Sequence, residues 1–206
     1  MAATPTQAGI VNQALAMLGS TARIQSIDDD KPVARHAKAA WDLQVRELLA
    51  DHPWNFALAR VLLNAAGEVP AFGYDRQFAL PADCLRWLPP SVDEAEWFDA
   101  VQEGDALLTN EAAPLPVRYI SLAQGEQVAR WPAHFAMAMA ARMALALAEP
   151  VTQSESVDGK AEERANAAIR RAKRIDALAS GAKQRLSVSR RSRWLQAARQ
   201  PFNPNS

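Results

Sequence analysis

Residues 131–150, with the sequence WPAHFAMAMAARMALALAEP, decide the fold that we predict for this chain. Between the two prolines lie 17 residues, and only His134, Arg142 and Glu149 among them are strongly polar. A helix of this composition has no polar face that could be left in water, so other elements must surround it. The segment is therefore predicted to be a core helix, covered by its own subunit or by a neighbour.

The two prolines set the expected ends of this core helix. Pro132 suits a first turn and Pro150 cannot continue a helix, so we expect the helix over 132–148. At about 1.5 Å per residue it would span roughly 25 Å, which is short of a hydrocarbon core of roughly 30 Å. Arg142 near its middle also disfavours a membrane span. We expect Arg142 to pair with a carboxylate of the same helix or of a neighbouring subunit.

Two amphipathic helices are predicted before this core helix. In the first, Thr4 is the expected N-cap, Pro5 the first helical residue and Gly19 the stop. The second follows the acidic run at 28–30, whose charge favours the N-terminus of a helix, and it ends just before Pro53. Both helices are expected to form layers against the core helix.

The last helix is predicted from about residue 156 to 179, followed by Gly181 and then by an extended arm at 182–206. From Ser180 onward there are six basic residues and no acidic one, which leaves 17 basic against 23 acidic residues, a net charge of minus six, in the rest of the chain. The arm and the body therefore carry opposite charge. The arm residues predicted to contact a partner are Arg185, Arg190, Arg191, Arg193, Trp194, Leu195, Arg199 and Phe202.

Between the second helix and the core helix, short apolar runs are broken by Pro, Gly, Asn and Asp, a pattern typical of strands and turns. The predicted strands are 58–64, 76–79, 85–88, 96–101, 106–109 and 117–122, with a tight turn at Gly104 and Asp105. The predicted fold class is α+β: a mainly helical bundle of about four helices, an inserted small antiparallel β subdomain and an extended C-terminal arm. The expected divisions are 1–57 and 126–181 for the bundle, 58–125 for the β subdomain and 182–206 for the arm.

The composition is that of an ordinary soluble protein, with 206 residues of which 49% are hydrophobic and 22% charged. A single cysteine excludes an intramolecular disulfide and a cysteine-based zinc site. The N-terminus has no basic region followed by an apolar run, so we expect no secretion signal and synthesis in the cytoplasm.

Residues that could carry chemistry are few and scattered. His36, His52 and His134 have no metal-ligand spacing, and motifs for serine hydrolases, dinucleotides and phosphates are absent. Cys84 paired with a histidine could act as a nucleophile, but a cysteine between a proline turn and a strand is more often a small buried residue. The acidic stretch 93–96 is typical of a solvated loop. We therefore predict no enzymatic activity, no cofactor and no metal.

The basic arm permits three interpretations. Its arginines and Trp194 could contact nucleic acid through phosphates and stacking, and such binding would be strongly salt-dependent. An acidic groove on a protein partner would attract the same arm, with Trp194 as a buried anchor. The third interpretation is a disordered solubilising tail.

Five short motifs, taken in order, resemble a known family. They are LLADHPWNFALAR at 48–60, GY at 73–74, FALPADCLR at 78–86, VRYI at 117–120 and WPAHF at 131–135. Their order resembles the tail tubular protein A family, the head-to-tail adaptors of short-tailed phages, over roughly residues 9–179.

The motif residues also have a structural interpretation of their own. Large aromatic rings such as Trp54 and Phe56 can lock a helix end to the β insertion. Asp83 after a proline turn can bond the backbone that follows it. The residues predicted to form this scaffold are Trp54, Phe56, Tyr74, Leu80, Pro81 and Asp83.

The resemblance implies a structural virion protein without enzymatic activity, forming a ring of about twelve copies between the portal protein and a tail nozzle or tail tube protein. Its helices would surround a channel through which DNA passes without sequence-specific binding. No membrane would be involved. The β insertion would face outward or towards the tail, and the arm would reach the portal. The protein would assemble in the host cytoplasm and remain in the neck of the virion. The alternative function is a nucleic-acid-binding module that acts through the basic arm.

Overall fold

A computed structural model describes residues 4–90, 98–152 and 158–179 of the chain. The helices are α1 (Gln7–Met17), α2 (Pro32–Ala50), α3 (Leu122–Gly125), α4 (Ala133–Thr152) and α5 (Asp158–Ala179). The strands are β1 (Leu58–Leu63), β2 (Arg76–Ala79), β3 (Cys84–Leu88), β4 (Ala100–Glu103), β5 (Ala106–Thr109) and β6 (Leu115–Ser121). The fold is α+β, as predicted, with helices and two small antiparallel sheets.

Helix α4 is the core helix, and it packs against α1, α2 and α5. Its side chains Phe135, Met139, Met143 and Leu147 recur every fourth residue and are fully buried. Burying an apolar side chain of this size contributes roughly 1.5–3 kcal/mol. Between Phe135 and Leu147 only Met137 is exposed, so α4 has almost no face in contact with water.

The ends of α4 differ from the prediction. The helix begins at Ala133, and the carbonyl of Pro132 accepts a hydrogen bond from the N–H of Ala136 at 3.0 Å, so Pro132 lies just before the helix. At the other end Pro150 does not stop the helix, which continues to Thr152. A proline this close to the helix end disrupts only the last turn, and just two residues follow Pro150 in the helix.

Helix α1 begins two residues later than predicted, with Thr6 rather than Thr4 as its N-cap. The backbone of Thr6 is extended, and its hydroxyl accepts a hydrogen bond from the N–H of Gly9 at 3.1 Å. The predicted stop is confirmed, since α1 ends at Met17 and Gly19 has a φ of 74°.

The acidic run before α2 divides between the helix and the preceding loop. Asp28 and Asp30 pair with Lys38 and Arg35 of α2, whereas Asp29 folds the loop. Helix α2 begins at Pro32, after Lys31, and has no side-chain cap. The carboxylate of Asp29 accepts hydrogen bonds from the N–H groups of Gln25 and Ser26 at 2.9 and 3.1 Å. The carboxylate of Asp29 is therefore bonded to N–H groups that precede it in the chain, because Asp29 lies in the same turn as they do.

The strands form two antiparallel sheets of three, in the orders β1-β6-β3 and β2-β5-β4. The predicted hairpin turn at Gly104 and Asp105 is confirmed, because Glu103 pairs with Ala106 across it and Gly104 has a φ of 60°. The strand predicted at 96–101 is found at Ala100–Glu103. Pairing with β5 sets the bounds of this strand, which the alternation of apolar residues did not reveal. Residues 91–97, which include the predicted start of the strand, lie outside the described part.

Strand β6 connects the β insertion to the bundle. Its Ile120 belongs to the larger core, which the helices form, whereas Leu115 and Val117 belong to a smaller core within the β insertion. Strand β1 follows the same course, because Leu58 packs against the larger core and Leu63 lies in the smaller one. The chain therefore leaves the bundle along β1, and the loop after β1 lies at the outer end of the insertion.

Candidate functional site

The segment between α2 and β1 joins the end of α2 to the start of α4. Trp54 is fully buried, and its indole N–H donates to the carbonyl of Leu48 at 2.7 Å. Its ring meets that of Phe135 edge to face, with the centroids 4.9 Å apart. The ring of Phe56 packs on the same Phe135 with a centroid distance of 4.7 Å. These two aromatic side chains thus hold the connection from α2 to β1 against the first turn of α4.

A buried carboxylate on α5 lies beside the same segment. Asp176 is only 3% exposed, and its carboxylate accepts from the backbone N–H of Asn55 at 3.2 and 3.3 Å. The Nδ2 of Asn55 donates to the backbone carbonyl of Asp176 at 2.8 Å. The Nε2 of His52 lies 3.2 Å from one carboxylate oxygen, and the Nε2 of His134 lies 3.6 Å from the other. We call these four residues, His52, Asn55, His134 and Asp176, the Asp176 junction.

The Asp176 junction fixes the C-terminal half of α5 to the rest of the bundle. His52 and Asn55 follow α2, His134 lies in the first turn of α4, and Asp176 lies one turn before the end of α5. A carboxylate this deeply buried is tolerated where several donors surround it. Sequence reasoning considered the two histidines only as possible metal ligands or as a base for Cys84, and it did not single out Asp176.

Burial lowers the pKa of His52, and the neighbouring Asp176 carboxylate only partly opposes that effect by its charge and hydrogen bond. Lys173 adds to the lowering, while Asp51 opposes it; these two side chains pair with each other at 2.6 Å. The neutral imidazole is therefore favoured, and in the tautomer with its proton on Nε2 it donates to Asp176. The buried Nε2 of His134 has no hydrogen-bond partner, because its distance from Asp176 exceeds hydrogen-bond range.

A second cluster ties two motifs of the β insertion together. The carboxylate of Asp83 accepts from the hydroxyl of Tyr119 at 3.2 Å and, through a very short bond, from the hydroxyl of Ser121. The prediction that Asp83 bonds the backbone after it is wrong. That N–H, of Cys84, donates to the carbonyl of Pro81 at 2.8 Å instead, which leaves the carboxylate free to reach β6.

The remaining scaffold residues lie near this cluster or in the loop before it. Leu80 packs against the smaller core, and its N–H donates to the carbonyl of Asp105 at 2.8 Å. Tyr74 is half-buried and follows Gly73, whose φ of 87° makes the turn. Leu80 and the turn before Tyr74 thus shape the path of the chain.

The environment of Cys84 opposes a role as a nucleophile. Cys84 is the first residue of β3 and is half-buried. Its pKa is raised, first by burial and then by the negative charge of Asp83. Since the thiolate is the reactive form, this site favours the unreactive thiol.

Arg142 finds its partners within the chain but on another helix. Its guanidinium forms an ion pair with Glu47, and its Nε donates to the side-chain oxygen of Gln44 at 3.0 Å. Both partners lie on α2. The expectation of a carboxylate on α4 itself or on a neighbouring subunit is wrong, because α2 crosses α4 close enough to supply both groups.

The predicted contact residues of the arm lie outside the described residues. They are Arg185, Arg190, Arg191, Arg193, Trp194, Leu195, Arg199 and Phe202. The last residue that the structure describes is Ala179 in α5, three residues after Asp176.

Comparison with known proteins gives no family for this chain. No model of a known protein family matches it, and no curated protein sequence is significantly similar to it. Within the residues that the structure describes, no three or more His, Cys, Asp or Glu side chains are grouped as metal ligands. In that same part of the chain, no helix has both the length and the apolar composition needed to span a membrane.

Proposed function

We propose that this chain is a structural head-to-tail adaptor, which joins the portal to the tail of a short-tailed bacteriophage and surrounds the DNA channel as a ring. The ordered motifs that resemble the tail tubular protein A family are the starting point of this proposal. The observation that carries it is that these motifs contact one another. Trp54 and Phe56 pack on Phe135 of the last motif, and Asp83 binds Tyr119 of the fourth.

Such contacts are what an adaptor needs from its motifs, because its function is to keep a shape under load. Each motif lies at a joint between elements: α2 with α4, and β3 with β6. An enzyme would place its distinctive polar residues around an open cavity instead. Here the two polar clusters, around Asp176 and Asp83, hold elements together.

The proposed ring contains about twelve copies, as a closed cyclic assembly of identical chains. Its proposed partners are the portal protein on one side and a tail nozzle or tail tube protein on the other. DNA would pass through the channel without sequence-specific contacts. In this proposal the basic arm, which follows α5 in the sequence, reaches the portal, and the protein moves from the host cytoplasm into the neck of the virion.

Sedimentation of the full chain with purified portal tests this proposal. We expect the chain to co-sediment with portal in a ratio near one chain per portal subunit, and to remain bound in moderate salt. A chain that stays monomeric and never co-sediments with portal would refute the adaptor function.

A matched control separates the adaptor from the nucleic-acid-binding alternative. The same chain is mixed with double-stranded DNA at low and at high salt, with and without residues 182–206. An adaptor binds portal whether or not DNA is present. A DNA-binding module instead shows an arm-dependent shift of DNA that falls steeply with salt.

A further inference from the structure

An exposed apolar loop marks the outer end of the β insertion. Between β1 and β2, Phe72 is 88% exposed and Val69 is 69% exposed. The loop is nevertheless held at both ends. The N–H of Ala66 donates to the carbonyl of Gln77 at 2.7 Å, and the N–H of Asp75 donates to the side-chain oxygen of Asn110 at 2.9 Å. Exposing a whole phenylalanine ring forgoes roughly 1.5–3 kcal/mol, which points to a contact that covers it.

An open apolar cleft lies on the helical bundle. It has a volume of about 180 Å³ and lies where the end of α1 meets the middle of α4 and the first half of α5. Its lining residues are Met17, Leu18, Ala141, Ala144, Ala165 and Ala168, with Arg164 beside them. The alanines leave space that larger side chains would have filled.

The loop and the cleft are complementary in size and chemistry. An apolar cavity of roughly 150 Å³ is large enough to bind benzene, so this cleft can hold the ring of Phe72. The thioether of Met17 and the guanidinium of Arg164 are both favourable neighbours for an aromatic ring. Glu68, which is exposed four residues before Phe72, supplies a negative charge for Arg164.

We propose that the Phe72 loop of one copy inserts into the α1-α4-α5 cleft of the next copy. Within a single chain the ring is exposed while the cleft is open, so the loop does not fill its own cleft. An identical chain offers the same loop and the same cleft on two different surfaces. A contact between two different surfaces is heterologous, and its repetition generates a closed ring or a filament. This inference rests on the proposed ring and names the surfaces that build it.

The heterologous character of the contact allows a test by mixing two variants. Phe72→Ala removes the inserted group and keeps the cleft, whereas Ala168→Phe fills the cleft and keeps the loop. We expect each variant alone to self-associate roughly tenfold to a hundredfold more weakly than the unmodified chain in sedimentation velocity. Mixed together, they retain one working loop and one working cleft, so they should form dimers with one copy of each and nothing larger.

Leu43→Ala is the matched control, because Leu43 is 67% exposed on α2 and belongs neither to the Phe72 loop nor to the lining of the cleft. This variant should self-associate like the unmodified chain. Circular dichroism spectra check that Phe72→Ala and Ala168→Phe remain folded. Self-association of Phe72→Ala at the strength of the unmodified chain would overturn the proposal, as would a mixture that forms full rings.

Cross-linking tests the contact without any portal. Cys84 is the single cysteine, so a Cys84→Ser chain can carry new cysteines through Phe72→Cys and Ala168→Cys. In concentrated protein, a short thiol cross-linker should give a ladder of covalent multimers from the chain with both new cysteines. The chain with only one of them should give no species larger than a dimer. Absence of the ladder would overturn the inference.

The two proposals can fail separately. Portal-bound rings formed equally well by Phe72→Ala would overturn this interface and leave the adaptor function standing. A cross-linked ladder from a chain that never binds portal would support the interface and refute the adaptor function.

Discussion

Asp176 illustrates how one buried side chain can hold three elements of this fold together. Its carboxylate meets the backbone of Asn55 and the rings of His52 and His134. These partners precede it by more than 40 residues in sequence, so no local pattern on α5 could identify it. Its position between Ile175 and Ala177, near the basic end of α5, is typical of a solvated residue.

Asp176→Ala should destabilise the protein strongly. It leaves the N–H of Asn55 and the Nε2 of His52 without their buried acceptor, which costs about 3 kcal/mol. Urea unfolding followed by circular dichroism measures the change. Glu163→Ala is the control, because Glu163 is exposed on the same helix and should unfold like the unmodified chain. A loss below about 0.5 kcal/mol for Asp176→Ala would contradict the structural role of the junction.

Stability should also fall on mild acidification, because burial lowers the pKa of His52 below its ordinary value of 6.5. The unfolded chain takes up the proton near pH 6.5, while the folded chain does so only at a lower pH. Below pH 6.5 the unfolded state therefore binds more protons, and the free energy of unfolding decreases as the pH falls. The charged or titratable groups around His52 are Asp51, His134, Lys173 and Asp176.

Urea unfolding at a series of pH values between about 7.5 and 5.5 measures this effect. His52→Gln is the matched variant, because glutamine can donate to Asp176 without titrating, and its stability should depend less on pH. An equal slope in the two proteins, or a rise in stability on acidification, would show that His52 is not the group responsible.

At the scale of elements, the crossing of α2 and α4 brings Arg142 to Glu47 and Gln44. Glu47 is 56% exposed, so it can be hydrated when its partner is lost. We therefore expect Arg142→Leu to change the free energy of unfolding by less than about 1 kcal/mol. Arg142→Glu places two carboxylates together and should destabilise by about 2 kcal/mol. Equal effects of the two substitutions in urea unfolding would contradict the ion pair.

The sequence was sufficient to predict the elements whose apolar residues recur in a regular pattern over several turns. The helices α1, α2, α4 and α5, and the turn at Gly104 and Asp105, follow from periodicity, glycine and proline. The ends were less predictable. The N-cap of α1 is Thr6 rather than Thr4, and α4 continues past Pro150. Each helix end depends on a few hydrogen bonds and on local space.

Contacts between residues that are far apart in the chain could not be predicted from the sequence in the same way. The motif residues Trp54 and Asp83 were identified as scaffold, but their partners Phe135 and Tyr119 depend on how α4 and β6 dock. The α1-α4-α5 cleft has no sequence signal at all, because alanines that leave a gap are indistinguishable from alanines that permit close packing.

At the scale of the whole molecule, the basic arm is predicted to make the contact with portal. If Trp194 is a buried anchor there, Trp194→Ala should weaken portal binding by about 2 kcal/mol. Titration calorimetry with purified portal measures this change. Gln200→Ala serves as the control and should bind like the unmodified chain. Equal affinity of Trp194→Ala would assign the portal contact to another part of the molecule.

We propose that this chain forms a ring on the portal, and electron cryo-microscopy of the full chain mixed with purified portal tests this proposal most directly. We expect an added ring of about twelve copies on one face of the portal, coaxial with its channel and open at the centre. Portals without any added density, beside a chain that remains monomeric, would contradict it.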